Sequence, residues 1–358
     1  MNRRNDNSKK KRIGWFCSYV PEEIIMAAGL EPVRLKGRVK NIEEADAHIF
    51  SNLCPYLKNI LDSGLRNKFG EIEGIIFTNA CDGMHRLADL WTQYIQTPFT
   101  YMLEIPKNRD DQGIKYFAAQ FLELKKGLED GFSVKISADR LGQAISLMNK
   151  RREMMMALFD GQKETRPRYR GSELLALCME ETAGPKDETT GKIKEFSGHS
   201  KTSNHANDKS PRILVMGNLV DAPILFRMVE NAGAAVVAFD TCNSLKHYSD
   251  PVDNGSSPIE SLARRYLLKP PCARAPGFDT RIARLRRLID EYSIDGVIVS
   301  SIKFCDYSLF EAPQIQGFLK KGGPVPLVVL ENDYVWSDEG RIRTRVEAFV
   351  EMLMGQQP

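Results

Sequence analysis

Six of the seven cysteines in this 358-residue chain fall into two groups, Cys17, Cys54 and Cys81 near the start and Cys242, Cys272 and Cys305 in the last third. The gaps are alike: 54 − 17 = 37 and 81 − 54 = 27 in the first group, 272 − 242 = 30 and 305 − 272 = 33 in the second. Cys17, Cys81, Cys242 and Cys305 each follow a short apolar run. Cys54 and Cys272 sit beside prolines, in Asn52-Leu53-Cys54-Pro55 and Pro270-Pro271-Cys272, which fix the local backbone. Thiolates are the soft ligands that iron–sulfur clusters take. Three from each half of a chain can hold such a cluster between two domains. A cubane with three cysteine ligands leaves one iron open to a substrate, a water or a bridging sulfide. Against this reading, no Cys-x-x-Cys pair is present, and free cysteines also serve as plain core residues. Cys178, in Leu175-Ala176-Leu177-Cys178-Met179, stands apart from both groups and reads as core.

Other candidates lie close to the cysteines. Cys81-Asp82-Gly83-Met84-His85-Arg86 and Cys242-Asn243-Ser244-Leu245-Lys246-His247 each put cationic or titratable groups just after a thiol. These can offset the negative charge of a thiolate-bound cluster, or be ordinary first-turn surface residues. His85 is the candidate proton donor, with a structural histidine as the alternative. Glu331-Asn332-Asp333-Tyr334 follows an apolar strand and reads as a pocket or domain-contact element. His199 and His205 fall in a polar stretch and read as surface residues. Neither a GxxxxGK[ST] phosphate loop nor a GxGxxG dinucleotide loop occurs.

The elements that must carry these residues read as α/β. Arg12–Cys17 is a strand, Pro21 opens a helix with Glu22 and Glu23 in its first turn, Gly29 ends it, and Pro32–Leu35 starts the next strand. Arg212–Gly217, Pro223, Gly233 and Ala235–Phe239 repeat that order at an offset of 212 − 12 = 200. Ile72–Phe77 and Ile294–Val299 form a second echo, each leading to a cysteine. Residues 114–129, 138–159 and 172–182 carry helical periodicity. The fold class expected is two related parallel-sheet domains, Rossmann- or flavodoxin-like, with a helical segment between them. The divisions expected are a basic tail over 1–11, an N-terminal α/β domain over 12–135 and helices over 136–182. A polar linker or insertion over 183–210 and a C-terminal α/β domain over 211–358 follow. In parallel sheets ligands bind at the carboxyl ends of the strands, where four of the cysteines lie. A net charge of +3 without a basic aromatic stripe excludes a nucleic-acid binder, and no apolar run is long enough to span a membrane. The basic start lacks the apolar segment of a secretory signal, so a cytoplasmic chain with reduced thiols is expected.

Gly14-Trp15-Phe16-Cys17-Ser18-Tyr19-Val20-Pro21-Glu22-Glu23 through Val33-Arg34-Leu35, together with Asn52-Leu53-Cys54-Pro55 and Thr78-Asn79-Ala80-Cys81-Asp82-Gly83, resembles the benzoyl-CoA reductase/2-hydroxyacyl-CoA dehydratase superfamily. So does the ending, from Glu331-Asn332-Asp333-Tyr334 to Arg343-Thr344-Arg345-Val346-Glu347-Ala348-Phe349. The resemblance covers the chain after residue 12 except the stretch 183–210. It implies that Cys54, Cys81 and Cys305 match the three cubane ligands of the dehydratase subunits. With Cys17, Cys242 and Cys272 added, the chain is closest to the double-cubane proteins, in which two cubanes share a sulfide as an 8Fe–9S unit. His85-Arg86 and Lys303-Phe304-Cys305 match no family motif.

The resemblance implies a homodimeric reductase that receives low-potential electrons from a separate ATP-hydrolysing iron–sulfur protein and reduces a small substrate. The absent phosphate loop agrees with that division of labour. The alternative is a 2-hydroxyacyl-CoA dehydratase subunit with a single 4Fe–4S cluster and ketyl-radical chemistry. A third reading is a non-enzymatic electron store. Iron and sulfide per chain separate the first two.

Overall fold

The computed structural model describes residues 10–198, 208–253, 255, 257–322 and 325–356. The chain runs β1 (Arg12–Trp15), α1 (Glu22–Ala27), β2 (Glu31–Arg34), α2 (Pro55–Leu65), β3 (Gly74–Thr78), α3 (Asp82–Tyr94), β4 (Phe99–Leu103) and α4 (Asp111–Phe132). A helical stretch follows: α5 (Ala138–Asp160), α6 (Gly171–Ala183) and α7 (Lys186–Gly198). The second half runs β5 (Arg212–Gly217), α8 (Ile224–Asn231), β6 (Ala235–Asp240), α9 (Leu245–Tyr248), α10 (Pro258–Leu268), α11 (Phe278–Glu291), β7 (Gly296–Ile302), α12 (Asp306–Gly322), β8 (Leu327–Asn332) and α13 (Glu339–Gln356).

Two four-stranded parallel sheets result, ordered β2-β1-β3-β4 and β6-β5-β7-β8. The orders are the same under a shift of four strands, so the echo in the sequence is an echo in topology. Each sheet reverses direction between its first and third strands in chain order, the switch point at which open α/β sheets bind ligands. The inner strands β3 and β7 are buried along their whole length, as mainly apolar parallel strands covered on both faces must be, and so is β6 although it stands at a sheet edge.

The helices do not divide at one point of the chain. Leu141, Ala144 and Ile145 of α5 pack with the first sheet, and Met155, Leu158 and Phe159 of the same helix pack with the second. Leu174, Leu175 and Cys178 of α6 join the second core. Leu262, Ala263, Tyr266 and Leu267 of α10 join the first, against α4. A cut near residue 210 therefore describes the order of the strands and not the packing. Residues 186–198, expected to be linker or insertion, form α7, which buries Ile193, Thr189 and Lys186. Three scattered anchors were too few to register against a polar composition. His199 and His205 lie outside the described residues.

What joins the parts is charged. Glu22 and Glu23 stand in the first turn of α1, as expected, and are fully buried. Glu22 pairs with Lys186 at 2.8 Å and His247 at 3.3 Å; Glu23 pairs with Arg152 and accepts from the Tyr266 hydroxyl at 2.8 Å. Arg151 binds Glu181 at 2.7 Å, and Tyr248 donates to Glu181 at 2.9 Å. Burial alone raises the Glu22 carboxyl, but Lys186 and His247 outweigh it and hold it near 2. A second clamp lies between the sheets: Arg34 forms a fork to Asp221 at 2.6 and 3.1 Å, and the Tyr334 hydroxyl donates to Asp221 at 2.9 Å.

Acid weakens this seam. Glu22 sits near 2 against an ordinary 4.5, and Glu23 and Glu181 are also held low, so its contribution is full above about pH 4.5 and is lost as the pH falls toward 2. Arg152→Ala strands Glu23 and costs about 3–5 kcal/mol near pH 7. In urea unfolding that loss shrinks as the pH approaches 2; an unchanged loss would remove Glu23 from the seam.

Candidate metal centre

The six cysteines lie at the carboxyl ends of the two sheets. Cys17 follows β1 and Cys81 follows β3, the strands at the first switch point. Cys242 follows β6 and Cys305 follows β7. Cys81 is three residues past its strand (81 − 78), and so is Cys305 (305 − 302), because β7 is longer than β3. Counted from Gly74 and Gly296, the strand starts, Cys305 lies two residues further along than Cys81, and that is the difference in strand length. Cys54 caps α2 with Pro55 as first helical residue, Cys81 caps α3, and Cys305 immediately precedes α12. Cys272 stands in the loop after α10.

The spatial grouping differs from the grouping along the chain. Cys54 feels the charge of Cys305 and then Cys81; Cys242 feels Cys272 and Cys17; Cys272 feels Cys17. Cys54, Cys81 and Cys305 pack against one core, and Cys17 and Cys272 against another. One triplet is thus Cys54, Cys81 and Cys305, the other Cys17, Cys242 and Cys272, and Cys81 feels both Cys305 and Cys17 across the gap. Each triplet draws on both halves of the sequence. Cys178 is fully buried in the second core, away from both.

The triplets receive positive potential from different sources. Amides of Tyr56 and Leu57 face Cys54, that of Met84 faces Cys81, and those of Tyr307 and Ser308 face Cys305. These are first-turn N–H groups of three helices, which favour a thiolate. Asn218 adds a hydrogen bond from Nδ2 to Cys305 Sγ at 2.8 Å. Around Cys242 the favourable charges are instead Lys246 and Lys269, and around Cys272 they are Arg274 and Lys246. Burial still pushes the Cys54 and Cys242 thiols up to about 12 and Cys81 to about 11. The thiols of Cys54, Cys81 and Cys242 are therefore protonated at neutral pH, and a metal that binds them must displace protons.

All six cysteines are free thiols. Among the described residues no three His, Cys, Asp or Glu side chains stand close enough to hold a single metal ion. A cluster of several irons spreads its ligands over different iron atoms and so needs wider spacing. Two buried phenols fit such a group. The hydroxyls of Tyr19 and Tyr56 have no hydrogen-bond partner among the described residues. Tyr19 feels Cys272 and Cys17, and Tyr56 feels Arg34 and Asp221 first and then Cys17 and Cys54. Each is a donor placed where sulfide or thiolate acceptors would stand.

Cys54, Cys81 and Cys305 open onto a cleft of about 800 Å³ with Phe278, Phe304 and Phe310 in its walls. Cys17, Cys242 and Cys272 do not line it. His85 is exposed on α3 and is not part of the cleft. His247 is buried, stacked on Trp15 at 6.0 Å and bound to Glu22, so it belongs to the charged seam. Lys246 approaches the Gly217 carbonyl at 3.5 Å and Asp240 at 3.7 Å. Tyr334 belongs to the Arg34–Asp221 clamp. Asn218, Lys269, Arg274, Tyr19 and Tyr56 were not singled out from the sequence. One signal pointed to Asn218: Gly217 stands at the repeat offset from Cys17 (217 − 17 = 200), so its neighbourhood corresponds to a cysteine site.

Gly217 has φ +145, and a Cβ there would meet the Ser300 carbonyl oxygen at 2.2 Å. Gly217→Ala costs about 1–3 kcal/mol from the backbone angle alone. It also displaces Asn218, whose carbonyl accepts from the Cys242 amide at 2.6 Å. Thermal unfolding is expected to show the loss; a wild-type melt would mean the strand end relaxes freely.

A family model described as 2-hydroxyglutaryl-CoA dehydratase, D-component, matches residues 17–353. YjiM of Escherichia coli (strain K12) is 27% identical over 356 residues, covering 95% of this chain and 91% of YjiM. A benzoyl-CoA reductase subunit of Thauera aromatica is 24% identical over 314 residues, covering 86% of this chain and 81% of that protein. The (R)-phenyllactyl-CoA dehydratase beta subunit of Clostridium sporogenes is 23% identical over 356 residues, covering 97% and 93%. The last two are named as subunits of enzymes. Among the described residues no helix is long and apolar enough to cross a membrane.

Proposed function

This chain belongs to the 2-hydroxyglutaryl-CoA dehydratase D-component family, and we propose that it is the reductase component of an ATP-dependent iron–sulfur system, with its six cysteines holding an 8Fe–9S double cubane. One observation carries this reading: beyond Cys54, Cys81 and Cys305, a second triplet of Cys17, Cys242 and Cys272 stands beside the first, linked through Cys81 and Cys17. Such a cluster, when bound, supplies low-potential electrons singly to a substrate that is hard to reduce.

The chain's own residues divide the remaining work. Cys54, Cys81 and Cys305 present their half to the cleft, where Phe278, Phe304 and Phe310 limit water. Helix N-termini favour the thiolates on that side, and Lys246, Lys269 and Arg274 do so on the other. Arg281 is occupied by Glu311 and by the Ala275 carbonyl at 2.7 Å, so it braces the wall between Cys272 and the cleft. Phe310 is 74% exposed at the mouth and Phe304 48%, an apolar rim that suits a protein surface. The partners proposed are a second copy of this chain and a separate ATP-hydrolysing iron–sulfur donor, in the reducing cytoplasm. The substrate is a small molecule.

The second reading is a dehydratase subunit with one cubane. The cleft favours it to this extent: only Cys54, Cys81 and Cys305 reach the cleft, and these three suffice for a single cluster.

Anaerobic purification separates the two readings. The first expects about eight irons per chain and the second about four. Cys17→Ser and Cys272→Ser are expected to lose cluster iron and reductase activity, while Cys178→Ser keeps both, because a hard hydroxyl replaces a soft thiolate poorly. Full iron and activity in both variants would leave the single-cubane reading standing. The pure chain is expected to hydrolyse no ATP, and substrate reduction is expected to need both ATP and the donor protein. Full-rate reduction without ATP would rule out the donor scheme.

A further inference from the structure

Lys269 ends α10 and is 2% exposed. Its ammonium donates to the Ser18 carbonyl oxygen and, at 3.1 Å, to Ser18 Oγ. It lies 4.7 Å from the centre of the Tyr19 ring and 5.3 Å from that of Tyr266. Aromatic faces and a carbonyl can hold a cation, but none of them neutralises it.

Four other deeply buried cations have carboxylates: Arg34 has Asp221, Arg151 has Glu181, Arg152 has Glu23 and Lys186 has Glu22, while Arg265 is held by the backbone carbonyls of His247, Ser249 and Asp250. Among the described residues Lys269 has no carboxylate. Arg265 beside it adds like charge. A buried charge without a counter-ion is costly, so the surroundings of Lys269 lack an anion. The acidic groups that it feels are Cys17, Cys242 and Cys272. Burial and Arg265 push its pKa down to about 7, and those three cysteines pull it back up.

Its position relative to them is fixed from two sides. Ser18, which accepts from the ammonium, adjoins Cys17, and Pro270 and Pro271 stiffen the path from Lys269 to Cys272. The amides of helix N-termini that face Cys54, Cys81 and Cys305 have no equivalent set at this triplet.

We propose that Lys269 is the built-in counter-ion of the metal–thiolate assembly held by Cys17, Cys242 and Cys272, an assignment that rests on reading these cysteines as cluster ligands. It balances charge that the protein cannot expose to water. It thereby raises the potential of that half of the cluster and holds its thiolates on iron.

The test uses Lys269→Met, which keeps the stem and removes the charge, and Lys269→Arg, which keeps the charge. In redox titration of the anaerobically purified chain, Lys269→Met is expected to move the midpoint potential negative and to lose iron severalfold faster to a chelator. Lys269→Arg is expected to restore both toward wild type. An unchanged potential in Lys269→Met overturns the assignment. If that variant takes up no cluster, the metal-free chains decide. There, below about pH 7 where the ammonium is still charged, Lys269→Met should melt above wild type, because an uncompensated charge has gone, and a lower melt overturns the proposal. About four irons in the wild-type chain would instead sink the double-cubane reading. The metal-free melts, which need no iron, would still decide the charge state assigned to Lys269.

Discussion

Two adjacent carboxylates, Glu22 and Glu23, are buried at the start of α1, and the groups that bind them come from other parts of the chain. Lys186 belongs to α7, Arg152 to α5, His247 to α9 and Tyr266 to α10. Losing Lys186 or Arg152 leaves a carboxylate without its cation, and His247 and Tyr266 hold the remaining carboxylate oxygens in place, so the five elements hold one relative placement. Since α1 follows directly on the loop of Cys17, and α9 and α10 flank Cys242 and Cys272, the same contacts align one cysteine triplet. The other triplet is aligned by the Arg34–Asp221–Tyr334 clamp, which stands beside Tyr56 and the α2 terminus that Cys54 caps.

This arrangement explains why packing does not follow chain order. The cluster proposed for the six cysteines would draw ligands from both halves and would need the carboxyl ends of the two sheets held at a fixed distance. Helices α6 and α7 pack with the second sheet and α10 with the first, so each half is gripped by elements of the other. Hydrophobic contact supplies the bulk of the adhesion, but it is non-directional, and the ion pairs supply the register.

The two triplets solve one electrostatic problem in different ways. Near the cleft, the termini of α2, α3 and α12 point N–H groups at the sulfurs and leave room for a ligand. Behind it, where no substrate need enter, side-chain cations fill the space. A short helix such as α9, with four residues, cannot supply a comparable dipole, and Lys246 and Lys269 stand in its place.

The sequence alone determined the α/β class, the strand runs that precede Cys17, Cys81, Cys242 and Cys305, and the repeat that relates Arg12–Cys17 to Arg212–Gly217. All of these are local or periodic properties, which the pattern of apolar residues records. It also separated Cys178, whose apolar neighbours mark it as core. Which cysteine stands beside which was decided by tertiary structure. Cys54 and Cys305 are 251 residues apart (305 − 54), and spacing alone put them in different groups; only the family resemblance set them together with Cys81. The pairing of Glu22 with Lys186 and His247, the helix over residues 186–198 and the lack of a carboxylate at Lys269 among the described residues were equally out of reach. Each depends on what long-range folding places around a charge, and a charge on a polar-looking segment reads as solvated until its neighbours are known.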